Sequence, residues 1–549
     1  MARKKVKPLI ILTILTGFII FCILLLSQYF QQDEWHSFGL IQSYGARYLT
    51  FDRPFWQLFF TDRIAARSIM FLFFKIFEGS SLPFALLAIF THTINTILVG
   101  YLAFKLTKNR IISFLSSIFF FTNSVGHQAY SWFGTLAGSS TNITFILISV
   151  IFYFIFIEKR KYIYLFLSLF FIWVSFLFKE SGYFVFILYP IAWILYSNKK
   201  SLKKFALQNL PVFIYGFYVT VILAVNIVSL PSQRANYVAS DTSGVLNLFR
   251  NATFYPLEGI SQVFLPSQPV FATARIIAEK MFLSVKPETW EFDLFYTTTI
   301  AEGVSVALSL LFILLFFYAF KKYISKNRDL KLFFIFSFLL LSLSFLPYVV
   351  LDKFDAYLDS RYYYAAMIGA SFIFGILSLI FIQNAKSNLK KSMVLGAMLV
   401  LIFSHLFFLV NDLLTQAEIA RERKNIISQI LTLVPKIDKK TVFYVTGNSP
   451  GYYGIPELKV PFQSGLGQML LVEYGIKKQV SPDIFAEGFI KQGFLFDTLA
   501  QGYKEVGGQG FGYFYDKQNL EESMGKGQFD QADIISLFYD SDSKKIFYK

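Results

Sequence analysis

Cysteine is all but missing from this chain. One residue, Cys22, stands in 549, and it lies inside an apolar run, so neither a disulfide framework nor a cysteine-ligated metal site can be built. Histidine is nearly as scarce, at four, and charged residues reach only 16%. Solenoid-type repeats and low-complexity segments are absent as well. What fills the chain instead is apolar: 55% hydrophobic residues, 68 of them phenylalanine, with a mean hydropathy of +0.52. A soluble protein of this length would not combine so few charges with repeated long apolar runs, so the class is a polytopic membrane protein. The net charge of +16 (51 basic against 35 acidic) could suit nucleic acid. The basic residues, however, stand in short clusters between apolar runs, which is the pattern of cytoplasmic loops, and nucleic-acid binding is rejected.

Spanning the hydrocarbon core takes roughly 20 residues of helix. Apolar segments near that length fall at about 8–27, 82–104, 111–123, 141–157, 161–178, 183–196, 205–229, 301–320, 331–350, 362–382 and 391–411, which predicts about eleven transmembrane helices. Alternate loops carry Lys105/Lys108/Arg110, Lys159/Arg160/Lys161, Lys199/Lys200/Lys203/Lys204, Lys321/Lys322/Lys326/Arg328 and Lys386/Lys390/Lys391. With the basic N-terminus they fall on one face, which the positive-inside bias makes cytoplasmic. The first segment ends in Ser-Gln-Tyr-Phe-Gln-Gln without a small-x-small cleavage site and reads as an anchor. An odd number of helices then predicts a multi-pass cell-membrane protein whose C-terminus lies outside.

The unusual polar residues all fall on the opposite, extracytoplasmic face. Asp33-Glu34 follows the first segment directly; the pair either marks a solvated helix end or is a functional site, since carboxylates held against a membrane are costly. Arg53-Pro54 lies some twenty residues further on, either as a solvated loop residue or as a guanidinium suited to bidentate phosphate recognition. The piece around Ser68 to Lys75 is too short to span and suits the interface plane. His92, mid-run, fits a helix–helix hydrogen bond better than a functional role. His127, beside Tyr130 and Trp132 in a short loop, reads equally well as local structure or as function. Lys179-Glu180 sits between two apolar segments, as a structural ion pair or as a site. Arg361-Tyr-Tyr-Tyr364, after Asp352, Asp355 and Asp359, resembles a binding wall more than a snorkelling anchor.

After residue 411 the composition becomes charged and broken by turns. A helical stretch around Gln416 to Lys424 precedes short strand-like runs at Thr441, Gly510, Ile534 and Lys545, which predicts a small extracytoplasmic α/β domain over 412–549 behind a membrane domain over 1–411. The tail has no glycine-rich phosphate loop, metal-ligand spacing or nucleophile elbow.

Taken in order, Asp33-Glu34, Arg53-Pro54, His92-Thr-Ile-Asn95, His127, Lys179-Glu180 and Arg361-Tyr-Tyr-Tyr364 resemble the GT-C membrane glycosyltransferases, in particular the protein O-mannosyltransferase-like branch. The likeness covers roughly residues 8–380. It implies a GT-C-like transmembrane fold and an inverting hexosyltransferase that uses a dolichyl- or polyprenyl-phosphate sugar as donor. It also implies a catalytic carboxylate at Asp33 with Glu34 beside it, and a donor-binding set of Arg53, His127, Lys179, Glu180, Arg361 and Tyr362. The acceptor is a protein hydroxyl, a lipid or a glycan, membrane lipid is a partner, and a divalent metal stays open as a cofactor. The Asp-Glu pair departs from the Asp-Asp common in parts of the family, and the tetratricopeptide repeats of the mannosyltransferases most like it are missing.

The chemistry fits these residue types. Glycosyl transfer passes through an oxocarbenium-like state. A polyprenyl phosphate leaves readily, so one carboxylate acting as base on the acceptor hydroxyl suffices, and fixed cations stabilise the departing phosphate. The rival from another class is a transporter or flippase of lipid-linked glycans. Against it stand the lack of an internal inverted repeat or matched broken helices, and charges gathered at one face rather than at midplane.

Overall fold

The computed structural model describes residues 15–31, 33–50, 63–197, 201–229, 242–283, 285, 292–349, 360–438, 440–452, 459–462, 466–477, 502–503 and 512–549. The described parts of the expected apolar segments are largely helical. In chain order the helices are α1 (Leu15–Leu26), α2 (Asp33–Tyr44), α3 (Ile64–Phe77), α4 (Leu82–Thr107), α5 (Arg110–Thr122), α6 (Asn142–Lys159), α7 (Tyr162–Phe176) and α8 (Val185–Tyr196). They continue with α9 (Leu202–Ser229), α10 (Thr242–Phe264), α11 (Ser267–Met281), α12 (Thr298–Lys322), α13 (Arg328–Leu343), α14 (Ala366–Asn384) and α15 (Asn388–Leu433). Seven stretches of the described residues are long and apolar enough to cross a membrane, and α1, α5, α7 and α8 are shorter apolar helices beside them. The protein is a helical membrane protein.

Two ends of the bundle differ in chemistry. At the basic end, α4 stops at Lys108 and the chain leaves α6 through Arg160, both in the left-handed conformation (φ +55° and +57°). Asn109 and Asn327 then cap α5 and α13 by accepting from the free N–H groups of their first turns. Lys105 pairs with Glu158 (2.8 Å), and Arg160 donates to Gln208 and Ser197. The other end carries α2, α3, α10, α11 and residues 123–141, 177–184, 344–349 and 360–365.

Between the ends the helices approach closely where small residues meet, as expected where lipid offers no hydrophobic drive for helix association. Gly369 on α14 lies so near α13 that a Cβ there would stand 2.5 Å from the Ser337 carbonyl and 2.6 Å from the Leu341 nitrogen. Polar side chains inside the bundle bond across it. His92 on α4 contacts the Tyr364 hydroxyl through Nδ1 (2.8 Å) and the Phe121 carbonyl through Nε2 (3.2 Å), while Asn95 Nδ2 donates to Tyr364 (3.2 Å) and the Ser140 carbonyl (2.9 Å). The set is self-consistent with a neutral imidazole protonated on Nε2. It is the helix–helix role expected for His92.

The 412–549 region holds a five-stranded sheet in the order β2-β3-β1-β4-β5, with β1 (Val442–Gly447), β2 (Gly502–Tyr503), β3 (Gly512–Phe514), β4 (Ile534–Asp540) and β5 (Lys545–Tyr548). β1 is parallel to both β3 and β4, and the two edge strands are antiparallel. Helices α16 (Leu466–Ile476) and α17 (Lys517–Gly525) complete it. The expected boundary at 411 is not a break. α15 runs unbroken for 46 residues, about 70 Å at 1.5 Å per residue, and so passes out of a hydrocarbon core of roughly 30 Å into the sheet region. The apolar signal ends at 411 because the surroundings change there, not because the helix does.

Candidate functional site

The acidic pair opens α2. Asp33 is its first residue, and Glu34 is fully buried. Glu34 Oε2 accepts the Gln31 N–H (3.1 Å) from just before the helix, and Oε1 accepts the Gly134 N–H (2.6 Å) from the second connection of this face. Both carboxylate oxygens therefore hold backbone. Glu34 anchors α2 to a loop 100 residues further along the chain. Around it Trp35, Phe30 and Phe38 are completely buried, and Phe38 stacks on Phe74 of α3 at 4.6 Å.

That second connection folds as two single helical turns, Gln128–Ser131 and Phe133–Leu136, and then enters α6 through a π-helical turn at Ala137–Thr141. Such wide turns recur at functional sites. His127 Nδ1 faces the Ser124 carbonyl (2.8 Å) and the Ser360 hydroxyl (3.3 Å). Ser360 in turn donates to the Val125 carbonyl and accepts from the Gln128 N–H (3.3 Å), so residues 124–128 and 360–364 form one wall. The Arg361 guanidinium lies 4.7 Å from the Trp132 ring centre and 5.0 Å from that of Tyr362.

Lys179 reaches the same tyrosine from the connection after α7, with its ammonium 5.2 Å from the Tyr362 ring centre. Two cations from segments about 180 residues apart thus meet one aromatic ring. Glu180 is engaged differently. Arg63, the left-handed residue (φ +52°) that opens α3, grips it through both forks, Nε to Oε2 at 3.0 Å and Nη2 to Oε1. Burial alone would raise the Glu180 carboxyl; the Arg63 charge and hydrogen bonds, with Lys179 behind them, overcome it and hold the group at about 2. Glu180 is an ion-paired strut that fixes α3 beside Lys179.

The structure brings together Glu34, His127, Lys179, Glu180, Arg361 and Tyr362 at one end of the bundle. Arg53, Asp352, Asp355 and Asp359 lie outside the described residues, and of Asp33 the backbone position is described. Several contributors escape a reading of the sequence. Gly134 contributes only a backbone N–H. Arg63 looks like any loop arginine until its partner, 117 residues away, is seen. Asp412, at the end of the last apolar run, accepts from Gln268 Nε2 (2.6 Å) and lies within the field of the His127 imidazole. Its only signal is being the first acid after the last, mostly apolar run. Among the described residues no three His, Cys, Asp or Glu side chains gather as a metal-ligand set. No protein-family model and no curated protein matches the chain.

Proposed function

We propose that this protein is a membrane glycosyltransferase that moves a sugar from a polyprenyl-phosphate donor to an acceptor hydroxyl on the extracytoplasmic face. The observation that carries the reading is the pair of cations on Tyr362. Arg361 and Lys179 converge from separate connections at the membrane edge, beside a wall of Trp132, Tyr348 and Tyr362. Adjacent cations on aromatic surface suit a phosphate whose lipid tail stays in the bilayer and whose sugar stacks on rings. Arg53 is the further phosphate-binding candidate from the first loop.

In this reading Asp33 is the general base, and Glu34, with both oxygens committed to backbone, holds it in place. The acceptor hydroxyl attacks the anomeric carbon as Asp33 takes its proton. The carbon–oxygen bond to phosphate breaks on the opposite side, inverting the configuration, and the new phosphate charge falls on Arg361 and Lys179. In this reading the N-terminus is cytoplasmic and the sheet region outside, which the basic clusters of alternate loops in the sequence support.

The test is transfer by purified protein supplied with a panel of polyprenyl-phosphate sugars and read by mass spectrometry, beside donor binding by Arg361→Lys and Arg361→Ala. A bidentate, ring-stacked guanidinium is poorly replaced by lysine, so both variants lose at least tenfold in donor affinity, on the order of 1.4 kcal/mol. Unchanged affinity in both reduces Arg361 to an interface anchor and removes the main support for the reading.

A further inference from the structure

The sheet region is not suspended beyond the membrane domain; it is bolted to the acidic segment. Arg423, in the extramembrane part of α15, is almost completely buried, at 1% exposure. Its Nε donates to the Pro461 carbonyl (2.7 Å) and its Nη1 to the Phe30 carbonyl (3.4 Å), three residues before Asp33. On the next residue, the Lys424 ammonium lies over the Tyr29 ring at 4.6 Å, and the Tyr29 hydroxyl meets Glu473 of α16 at 3.4 Å. Gln28 Nε2 donates to the Leu413 carbonyl of α15 (2.9 Å), and Gln42 Nε2, at the far end of α2, donates to the Val472 carbonyl of α16 (3.1 Å). Thus α2 packs along α16, with polar ties before its first turn and near its last. On its other side Glu34 ties it to Gly134.

We propose that Arg423 is a positioning residue, through which the C-terminal sheet region sets the place and angle of the Asp33–Glu34 segment. A buried guanidinium is costly unless it is hydrogen-bonded, and here its partners are backbone carbonyls of the very segments it joins. The six-residue link between α1 and α2, residues 27–32, contains Phe30, so fixing that carbonyl fixes where α2 begins. The C-terminal region then serves as a brace that completes the site, and removing the tie lets the acidic pair drift while the donor-binding wall at 360–364 stays as it was. The catalytic half of this inference rests on the glycosyltransferase reading; the mechanical half does not.

The experiment uses full-length protein in which Cys22→Ser removes the single cysteine. Spin labels at Ala46→Cys, just past α2, and Lys477→Cys, just past α16, report their separation by pulsed electron resonance. Beside the parent stand Arg423→Ala, Arg423→Lys and Gln42→Ala, all assayed for transfer. The parent gives one narrow distance distribution. Arg423→Ala broadens it and lowers kcat by about 10–100-fold, with the donor KM within twofold, because misplacement by about 1 Å is worth up to 10² in rate. Arg423→Lys keeps one donor and recovers part of both readouts, and Gln42→Ala shows a smaller change of the same kind. A narrow distribution and parental kcat in Arg423→Ala overturn the proposal. So does a fall in kcat matched by a rise in donor KM at unchanged label distance. If the parent transfers no sugar from any donor, the glycosyltransferase reading fails, and the label distances alone still decide whether Arg423 braces α2.

Discussion

Glu34 and Asp33 are neighbours in sequence, yet they are expected to respond to substitution in opposite ways. Glu34 is completely buried and both its oxygens accept backbone N–H groups. Glu34→Ala leaves the Gly134 and Gln31 donors without their acceptor. A buried donor left unmade costs about 1–3 kcal/mol. Gln31 is only half-buried, so water can replace part of its loss, and the total comes to about 2–4 kcal/mol. Glu34→Gln keeps one acceptor oxygen but turns its NH₂ toward an N–H, losing one charge-assisted bond, or about 1–3 kcal/mol. Asp33→Asn, which keeps the size and shape of the side chain, is expected to leave stability within about 0.5 kcal/mol and to lower transfer by about 10²–10⁴ as the base is lost.

The assay is thermal unfolding in detergent alongside transfer per folded molecule, with all variants at matched expression. The expected order of stability is Asp33→Asn above Glu34→Gln above Glu34→Ala, and Glu34→Gln keeps most of the transfer activity of its folded fraction. The reasoning is refuted if Glu34→Gln melts like the parent and loses transfer as deeply as Asp33→Asn. That pattern would make Glu34 the base and deny the two backbone bonds.

Two further expectations concern the frame around the site. Gly369→Ala would press a methyl group onto backbone atoms of α13, which cannot swing aside as a side chain can; a loss of about 1–3 kcal/mol follows, seen as a lower melting temperature, whereas Gly396→Ala, with open space around it, should be silent. Glu258, on α10, is pushed up to about 9, first by burial and then by the neighbouring Glu302 charge, against the pull of Arg250 and Gln262. A carboxyl whose folded value is raised stays protonated in the native state while the unfolded chain ionises. Its stabilising share is therefore complete below pH ~4.3, the ordinary glutamate value, and declines as pH rises toward 9. Melting temperature should fall from pH 5 to 9 with a slope that Glu258→Gln removes; equal slopes in both proteins would count against the buried pair.

How much of this could be read from the sequence depends on the range of the interaction. The candidate membrane helices could be read because they are written in contiguous apolar runs, whereas the mixed sequences of α2, α10 and α11 gave no such signal, and His92 could be placed because a lone polar residue in an apolar run has few options. α15 was half legible: its apolar run stops at 411, but the helix continues to Leu433 because helix propensity carries on where hydropathy does not. The roles of Glu34 and Glu180 were not legible. Each is set by a partner more than a hundred residues away or nearly so, Gly134 for one and Arg63 for the other, and nothing local distinguishes a carboxylate that binds backbone or arginine from one that does chemistry. Arg423 looked like part of a charged solvated helix, and its burial appears only once Phe30 and Pro461 fold over it.

The distribution of polarity also bears on the rival reading as a carrier of lipid-linked glycans. A carrier needs binding groups near midplane that both sides can reach in turn, built on broken helices. Within the described parts of α4 to α8, α13 and α14, charged residues are confined to the first or last turns. The polar residues deeper inside, such as His92 with Tyr364 and Ser149 with Tyr189, bond to one another across helices. Those two pairs are already hydrogen-bonded, so a substrate passing between them would have to break them. The costly charges, meanwhile, stand at the mouth, where a lipid phosphate can approach sideways from the bilayer and an acceptor from water. Under the glycosyltransferase reading it is at this end that Arg361, Lys179 and Asp33 should be tested first.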